Sequence, residues 1–254
     1  MVVDFSKYSS VKIGGKVEVA LLRTYGNYEV QMVGLANNLL VSPHAHNLAI
    51  LDRCFEGIED KGRFIEVGAR TSAQTLFKYF RDHNLAGLEF LGALPGSVGG
   101  LVKMNAGMKT YQMSDVILQA NVNGVWLDSQ ALGLAYRSSA FRGVVFGVRL
   151  QKTRGFRDDI LQACKRMRAH HPKKPSFGSC FKNPPGDFAG RLLEAVGLKG
   201  FCLKQVGFSS AHANFLINLG DAHFDQALDL ICLAKERVFQ HFGIWLEEEV
   251  CILT

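Results

Sequence analysis

The stretch GALPGSVGGLVKMNAG, residues 92–107, is the most informative part of the amino-acid sequence. It holds five glycines in sixteen positions without being of low complexity, so its backbone either approaches another group closely or adopts positive φ. The spacing does not fit the GxGxxG fingerprint of dinucleotide-binding folds, and Pro95 occupies the first glycine position of a GxSxG nucleophile elbow. Two interpretations stay open from these residues alone: a loop that holds a ligand, and a glycine-rich crossover between two domains.

A second small-residue turn lies upstream, in VGLANNLLV at residues 33–41. A strand-like run enters this turn and another apolar run leaves it. Such a turn can present several backbone N–H groups in one direction, which suits a pyrophosphate. An ordinary tight turn fits the same residues.

Composition describes a folded protein of two or three packed units. The chain has 254 residues, of which 48% are hydrophobic and 20% are charged. The first residues lack a basic segment followed by an apolar stretch, and no apolar run approaches the roughly 20 residues needed to cross a bilayer. We therefore expect no secretion signal, no membrane partner and a cytoplasmic location.

The cysteines and histidines give no indication of a metal site. The six cysteines are scattered without a CxxC pair, as is usual for thiols of a reducing compartment. Two short histidine pairs, His44 with His46 and His170 with His171, lack a neighbouring carboxylate or cysteine partner. No bound metal is expected.

The net charge of +6 indicates that anions are tolerated or sought as partners. The densest basic stretch runs from Lys152 to Lys174. It is open to three interpretations: a solvated face, a nucleic-acid surface and a site for a phosphate-bearing metabolite. Because exposed aromatic residues do not alternate with these basic residues, nucleic acid is not expected as a partner.

Hydrophobic periodicity predicts an α+β chain with a boundary near residue 155. Before that boundary, short apolar runs alternate with glycine turns. Strands are expected at residues 17–22, 29–33, 48–52, 64–67, 116–122 and 143–150. One helix interrupts them at residues 72–83, with Thr71 as its N-cap. After the boundary, helices are expected at residues 158–169, 187–197 and 221–243, followed by a strand-like tail.

Several separate segments resemble one enzyme family. Residues 87–107, GLEFLGALPGSVGGLVKMNAG, are similar to the flavin-embracing segment of the UDP-N-acetylenolpyruvoylglucosamine reductases. Other motifs of the family occur in its order: KIGG at 12–15, AYRSSAF at 135–141, GSCFKNP at 178–184, HANF at 212–215 and LEEEV at 246–250. The resemblance thus spans nearly the whole chain. Residues 155–175 leave no room for the tyrosine-bearing lid loop of longer members, so the chain resembles the short, lidless subtype.

The resemblance implies a fold and a cofactor. The fold is α+β, of the vanillyl-alcohol-oxidase (PCMH) type, with an FAD-binding region in two parts and a smaller α+β substrate domain. The first FAD-binding part would comprise residues 1–58 with 245–254, the second residues 59–155, and the substrate domain residues 156–244. FAD would be bound by Gly34, Asn37, Asn38, Gly96, Ser97, Gly99, Gly100, Asn105 and Gly107. The family usually carries glycine and serine where this chain has Ala36 and Asn37.

The resemblance also implies a two-stage reaction. NADPH reduces FAD and leaves, and the reduced flavin passes a hydride to the enolpyruvyl double bond of UDP-N-acetylglucosamine enolpyruvate, a step of peptidoglycan precursor synthesis. Hydride addition at the methylene carbon drives negative charge into the neighbouring carboxylate, which forms an enolate. The alternative is an FAD-dependent oxidase or dehydrogenase of the same superfamily that acts on another substrate.

Three residues match the family's catalytic positions. Arg137 carries a planar cation that suits the carboxylate of the enolate. Ser179 matches the proton donor, because a carbanion-like enolate is basic enough to take a hydroxyl proton held in contact with it. Glu249 is predicted to act partly protonated, with its pKa raised by burial and by anionic neighbours. Glu247 and Glu248 are expected to be solvated charges.

Further assignments follow from the same resemblance. The UDP-sugar site is expected to be lined by Tyr136, Lys182, Asn183 and His212. The basic stretch around Lys173 is expected to meet the diphosphate. The arginine that usually follows Glu-Val in the last motif is Cys251 here. We expect the protein to be a monomer.

Overall fold

The computed structural model describes residues 1–254, and its mixture of sheets and helices confirms the α+β prediction. Contacts divide the chain into two compact units. The first unit comprises residues 1–18, 36–46 and 170–254, and the second comprises residues 19–35 and 47–169. The two FAD-binding parts and the substrate domain predicted above were defined by the ligand that each would bind. They stay a prediction, because these two units are defined by packing alone.

The second unit is built on a five-stranded antiparallel sheet. Its strands lie in the order Val125–Asp128, Ile117–Val122, Val145–Gln151, Phe64–Gly68 and Ile58–Asp60. The central strand is buried over most of its length, which explains why its sequence is almost continuously apolar. Shorter strands of the same unit are Gln31–Met32, Leu48–Leu51, Gly107–Met108, Tyr111–Gln112, Leu134–Ala135 and Ser138–Ser139. All six predicted strands are present, with ends shifted by up to two residues.

Three helices complete the second unit: Ala73–Asp82, Val98–Lys103 and Asp158–Ala169. The first of these buries Ala73, Leu76, Phe77 and Phe80 along one face, as its periodicity predicts. Its predicted cap was wrong by one residue. Ser72 accepts the N–H of Thr75 at 3.0 Å, whereas the buried Thr71 hydroxyl donates to the carbonyl of Gly57 at 3.1 Å. Thr71 is therefore committed to a neighbouring loop and does not cap the helix.

A buried carboxylate fixes the start of the Asp158–Ala169 helix. Glu89 is 1% exposed and accepts the N–H of Gly87 at 2.8 Å and that of Arg157 at 3.0 Å. Two charge-assisted bonds from backbone N–H groups stabilise an ionised carboxylate away from water. The helix consequently packs on the short 3-10 helix Glu89–Ala93 and belongs to the second unit.

The first unit holds a four-stranded antiparallel sheet and the longest helix. The strands lie in the order Ser176–Ser179, Phe215–Asn218, Val206–Phe208 and Cys202–Leu203. The helix Phe224–Phe242 buries six residues at three- and four-residue spacing and ends at Gly243, where φ is +69°. No helix of the structure, this one included, has the length and apolar character needed to cross a membrane.

The predicted start of that helix at Asp221 was wrong by three residues. The N–H of Leu219 still bonds to the carbonyl of Gln205 at 2.9 Å, so the chain stays attached to the sheet until just before the helix. The unit also contains the strands Val2–Asp4, Leu39–Val41 and Cys251–Leu253 and the helices Phe5–Tyr8 and Ala189–Ala195. The strand Lys16–Leu22 begins in the first unit and ends in the second.

An ion pair beside the Ala189–Ala195 helix should make stability depend on pH. The carboxylate of Asp187 accepts hydrogen bonds from Nε and one terminal nitrogen of Arg191 and from the N–H of Phe188. These bonds lower the pKa of the carboxyl to about 2. Because the folded-state pKa lies below the unfolded value of about 3.9, the stabilisation is present above pH 4 and is lost as pH falls toward 2.

A double-mutant cycle of Asp187→Asn and Arg191→Gln, followed by urea unfolding from pH 3 to pH 7, measures this coupling free energy. It should be constant above about pH 4.5 and should decrease below it. A coupling free energy that did not change with pH would contradict the assignment.

Candidate active site

Gly34, from the small-residue turn at residues 33–41, meets the glycine-rich stretch at residues 92–107 at the hydroxyl of Ser97 in the second unit. A Cβ added to Gly34, where φ is +55°, would lie 2.8 Å from the Oγ of Ser97, and one added to Gly100 would lie 3.4 Å from the same atom. Any side chain at residue 34 would therefore collide with Ser97. The backbone of Gly34 therefore lies close to the Ser97 hydroxyl, and backbone N–H groups together with a hydroxyl suit a phosphate-bearing cofactor.

The segment that carries Ser97 is anchored by three backbone hydrogen bonds. Gly96 has φ of +143° and its carbonyl accepts the N–H of Ala73 at 2.8 Å. The N–H of Val98 bonds to Thr71 at 2.9 Å, and the N–H of Gly99 bonds to Ala69 at 2.8 Å. The turn is thus held against the end of the Phe64–Gly68 strand before the Val98–Lys103 helix begins.

The asparagine turn connects to the C-terminal motif within the first unit. The Nδ2 of Asn38 donates to the carbonyl of Glu249 at 2.8 Å, although 211 residues separate them. The carbonyl of Asn38 accepts the N–H of Cys251 at 3.0 Å. Upstream, Ser10 bonds to the carbonyls of Ala36 and Asn37, each at 3.1 Å. A turn predicted to hold FAD and a residue predicted to be catalytic are therefore bonded directly.

Arg137 occupies a tight hairpin of the second unit. Ala135 pairs with Ser138, which leaves Tyr136 and Arg137 as the two turn residues, and Arg137 has φ of +51°. Its guanidinium donates to the carbonyl of Gly107 at 2.8 Å and lies 5.1 Å from the centre of the Tyr136 ring. A non-glycine residue in this backbone region is held there by its surroundings, as is common at functional sites.

Asn105 orders the same hairpin. This side chain is completely buried, and its Nδ2 donates to Ala135 at 3.0 Å and to the Oε1 of Gln112 at 3.1 Å. Its Oδ1 accepts the N–H of Ser114 at 2.9 Å. The carboxamide is engaged inside the protein, so its evident task is to support the turn that carries Arg137.

Ser179 and Glu249 are brought together by the backbone of the first unit. Ser179 ends the strand Ser176–Ser179, opposite Phe215. The carbonyl of the next residue, Cys180, accepts the N–H of Glu249 at 2.8 Å and that of Val250 at 3.3 Å. The proton donor and the carboxylate predicted from separate motifs therefore lie on neighbouring segments, both half-buried.

The remaining glutamates of the last motif are paired with lysines. Lys182, 18% exposed at its side chain, pairs with the more exposed Glu247. Glu248 is only 29% exposed at its side chain and bonds to the Nζ of Lys235 at 2.6 Å. The expectation that Glu248 is a solvated charge was wrong, because the long helix brings Lys235 against it. Lys235 was not predicted as a partner of the last motif, because it occupies an ordinary helical position.

His212 and Asn183 surround the short helix Ala189–Ala195. The Nδ1 of His212 accepts the N–H of Asn214 at 3.2 Å, so its other ring nitrogen carries the proton. Burial lowers the pKa of His212, which keeps the ring neutral at pH 7. Asn183 is exposed, and its Oδ1 accepts the first helical N–H, that of Ala189, at 3.0 Å.

The predicted site residues are thus divided between the two units. In the first unit they are Asn37, Asn38, Ser179, Lys182, Asn183, His212 and Glu249. In the second unit they are Gly34, Gly96, Ser97, Gly99, Gly100, Asn105, Gly107, Tyr136 and Arg137. Sequence reasoning missed Asn214, although it is part of the HANF motif, because a buried asparagine gives no local signal of its partners.

Comparison with known proteins gives consistent matches. The family model for the UDP-N-acetylenolpyruvoylglucosamine reductase C-terminal domain matches residues 170–253. A UDP-N-acetylenolpyruvoylglucosamine reductase of Helicobacter pylori strain J99 is 59% identical over 253 residues, which cover 99% of this chain and 98% of that protein. One from Campylobacter jejuni strain RM1221 is 39% identical over 258 residues and 100% of both chains.

A solved structure agrees with these sequence matches. The crystal structure of UDP-N-acetylenolpyruvylglucosamine reductase from Thermus caldophilus superposes with a TM-score of 0.87. It is 32% identical and covers 100% of this chain and 98% of that one. The fold is therefore shared over the full length.

Proposed function

The chain belongs to the UDP-N-acetylenolpyruvoylglucosamine reductase family, and we propose on that basis that it reduces UDP-N-acetylglucosamine enolpyruvate to UDP-N-acetylmuramate with FAD and NADPH. The observation that carries this proposal is 59% identity to a reductase of that name over nearly the whole of both chains. The product is a precursor of peptidoglycan. An oxidase or dehydrogenase acting on another substrate is not favoured, since relatives over the full length carry the reductase name.

FAD fits the residues of the two glycine-rich turns. A side chain at Gly34 would collide with the Ser97 hydroxyl, and backbone groups with a hydroxyl are suitable partners for a pyrophosphate. We assign FAD binding to Gly34, Asn37, Asn38, Gly96, Ser97, Gly99, Gly100 and Gly107, and we assign Asn105 an indirect part in it, because its buried carboxamide supports the hairpin whose Arg137 bonds to Gly107. When bound, FAD reduced by NADPH supplies the hydride.

The protein's own residues stabilise charge and deliver a proton. Arg137 neutralises the carboxylate of the enolate, since its guanidinium stays charged at any working pH. Ser179 donates its hydroxyl proton to the α-carbon, while the hydride occupies the former methylene carbon. Glu249, in its protonated form, donates a hydrogen bond to the same developing charge.

Substrate recognition is assigned to residues around these groups. Lys182 presents its ammonium from a side chain held by Glu247, which suits a diphosphate. His212 is neutral and offers an N–H donor. We also assign sugar-nucleotide binding to Tyr136 and to Asn183. We place the reaction in the cytoplasm, with the enzyme a monomer that needs neither membrane nor nucleic acid.

Flavin colour tests the proposal directly. The purified protein should be yellow, should be bleached by NADPH without oxygen, and should regain its colour when one equivalent of UDP-N-acetylglucosamine enolpyruvate is added. Mass spectrometry of the product should show the addition of two hydrogens. Recoloration by air but not by the sugar nucleotide would support an oxidase and would refute the reductase assignment.

A further inference from the structure

We propose that Asn214 is a positioning residue, whose carboxamide fixes the backbone of Phe181 and thereby the segment that follows Ser179, so that the serine hydroxyl points at the carbon it protonates. The inference rests on the proposed function, because it concerns the proton donor of that reaction. Asn214 itself is not assigned any contact with substrate or cofactor.

The carboxamide of Asn214 forms hydrogen bonds with both backbone groups of a single residue, Phe181. Its Oδ1 accepts the N–H of Phe181 at 2.9 Å, and its Nδ2 donates to the carbonyl of Phe181 at 2.8 Å. The backbone carbonyl of Asn214 accepts the N–H of Cys180 at 2.7 Å. Asn214 is 3% exposed, so water does not compete strongly for these bonds.

The opposite edge of the same segment is bonded to the C-terminal motif. The carbonyl of Cys180 accepts the N–H of Glu249 at 2.8 Å, and the N–H of Lys182 donates to the carbonyl of Glu247 at 2.9 Å. Phe181 forms an isolated antiparallel bridge with Glu248. Residues 180–182 are therefore hydrogen-bonded to Asn214 on one side and to residues 247–250 on the other.

Asn214 replaces a backbone partner at the point where regular sheet pairing stops. Ser179 is the last residue of its strand opposite Phe215, and the register between Ser176 and Ser179 is already irregular. Gly178, just before the serine, has φ of +90°. Regular sheet pairing therefore ends at Ser179, and the segment after it is held by Asn214 on one side and by residues 247–250 on the other.

An asparagine side chain meets both requirements at this position. An N–H and a carbonyl of one residue need a donor and an acceptor at fixed separation, which a planar carboxamide provides. Leucine has a similar size but neither group, and ionised aspartate lacks the donor. Displacement of a reacting group by about 1 Å can slow a reaction by about 10²-fold. The loss of the two hydrogen bonds between Asn214 and Phe181 should therefore slow proton transfer from Ser179.

The test compares Asn214→Ala with Asn218→Ala in the FAD-loaded enzyme. Asn218 is a matched control because it ends the strand Phe215–Asn218 that Asn214 directly precedes, is 6% exposed, and bonds through Nδ2 to the carbonyls of Val11 and Lys12 at 3.2 and 2.9 Å. Stopped-flow absorbance of the flavin separates reduction by NADPH from reoxidation by the sugar nucleotide.

Asn214→Ala should slow reoxidation by about 10²-fold and leave reduction by NADPH within about twofold of wild type. Asn218→Ala should leave both stages within about twofold of wild type. The inference is overturned if the two variants slow reoxidation equally. If wild-type enzyme itself is not reoxidised by the sugar nucleotide, the proposed function fails, and that result is distinct from a failure of the Asn214 variant alone.

Two further variants exclude a general loss of folding. In a Ser179→Ala background, Asn214→Ala should slow reoxidation no further, because the group that it positions is already absent. Asn214→Asp, when protonated, regains a donor for the carbonyl of Phe181, so its reoxidation should recover toward the wild-type rate as pH is lowered. Multiplicative losses in the double variant, or no recovery at low pH, would count against positioning of Ser179.

Discussion

In the Ser179→Ala enzyme, NADPH should bleach the flavin at the wild-type rate, while reoxidation by UDP-N-acetylglucosamine enolpyruvate should be slowed by about 10²–10⁴-fold. Only the second stage needs a proton at the α-carbon. A methyl group in place of the hydroxymethyl group removes that proton without changing the cofactor site. Stopped-flow measurement of the two stages separately checks both statements.

Ser176→Ala is the control for this experiment. Ser176 lies three residues earlier on the same strand, and its Oγ accepts the N–H of Gly178 at 3.5 Å. It should react at the wild-type rate in both stages. If Ser179→Ala slowed both stages equally, Ser179 would support the structure and would not be the proton donor.

Cys180 is the neighbouring alternative donor, and the structure argues against it. Its side chain is completely buried. Burial, with smaller contributions from Glu248 and Glu249, raises the pKa of the Cys180 thiol well above its usual value. A thiol without access to a substrate cannot deliver a proton to it, so the serine remains the assigned donor.

Glu249→Ala should slow reoxidation of the flavin by about 10²-fold or more, whereas Glu249→Gln should stay within about tenfold of wild type. An ionised carboxylate would oppose the negative charge that develops on the enolate, so the useful form of Glu249 is the protonated one. Glutamine keeps a hydrogen-bond donor at nearly the same place, and alanine keeps none.

The same half-reaction assay measures this difference, with Glu247→Gln as control. Glu247 belongs to the same motif, but its side chain is 72% exposed. Its replacement should affect binding of the sugar nucleotide through Lys182 more than the rate at saturation. Equal slowing by glutamine and alanine at residue 249 would show that the ionised carboxylate is required, contrary to the assigned role.

Several features of the fold can be predicted from residues that are close in sequence. Three- and four-residue spacing of apolar residues located the helix Phe224–Phe242, and Gly243 marked its end. Glycine density at residues 92–107 indicated close approach, and a Cβ added to Gly92 or Gly107 would lie 2.4 Å from Leu161 or 2.2 Å from the carbonyl of Tyr111. Helix periodicity, capping and positive φ are local properties, so they can be read from a window of a few residues.

Only the tertiary structure decided which distant residues are neighbours. Ser179 and Glu249 meet because the carbonyl of Cys180 accepts the N–H of Glu249, and Asn38 joins them from the opposite end of the chain. Tertiary structure likewise brings Lys235 to Glu248 and the carboxamide of Asn214 to the backbone of Phe181. Hydrogen bonds between remote segments depend on where the sheet and the long helix place the backbone. No spacing within one segment contains that information, whereas the residue types that make the bonds were visible from the outset.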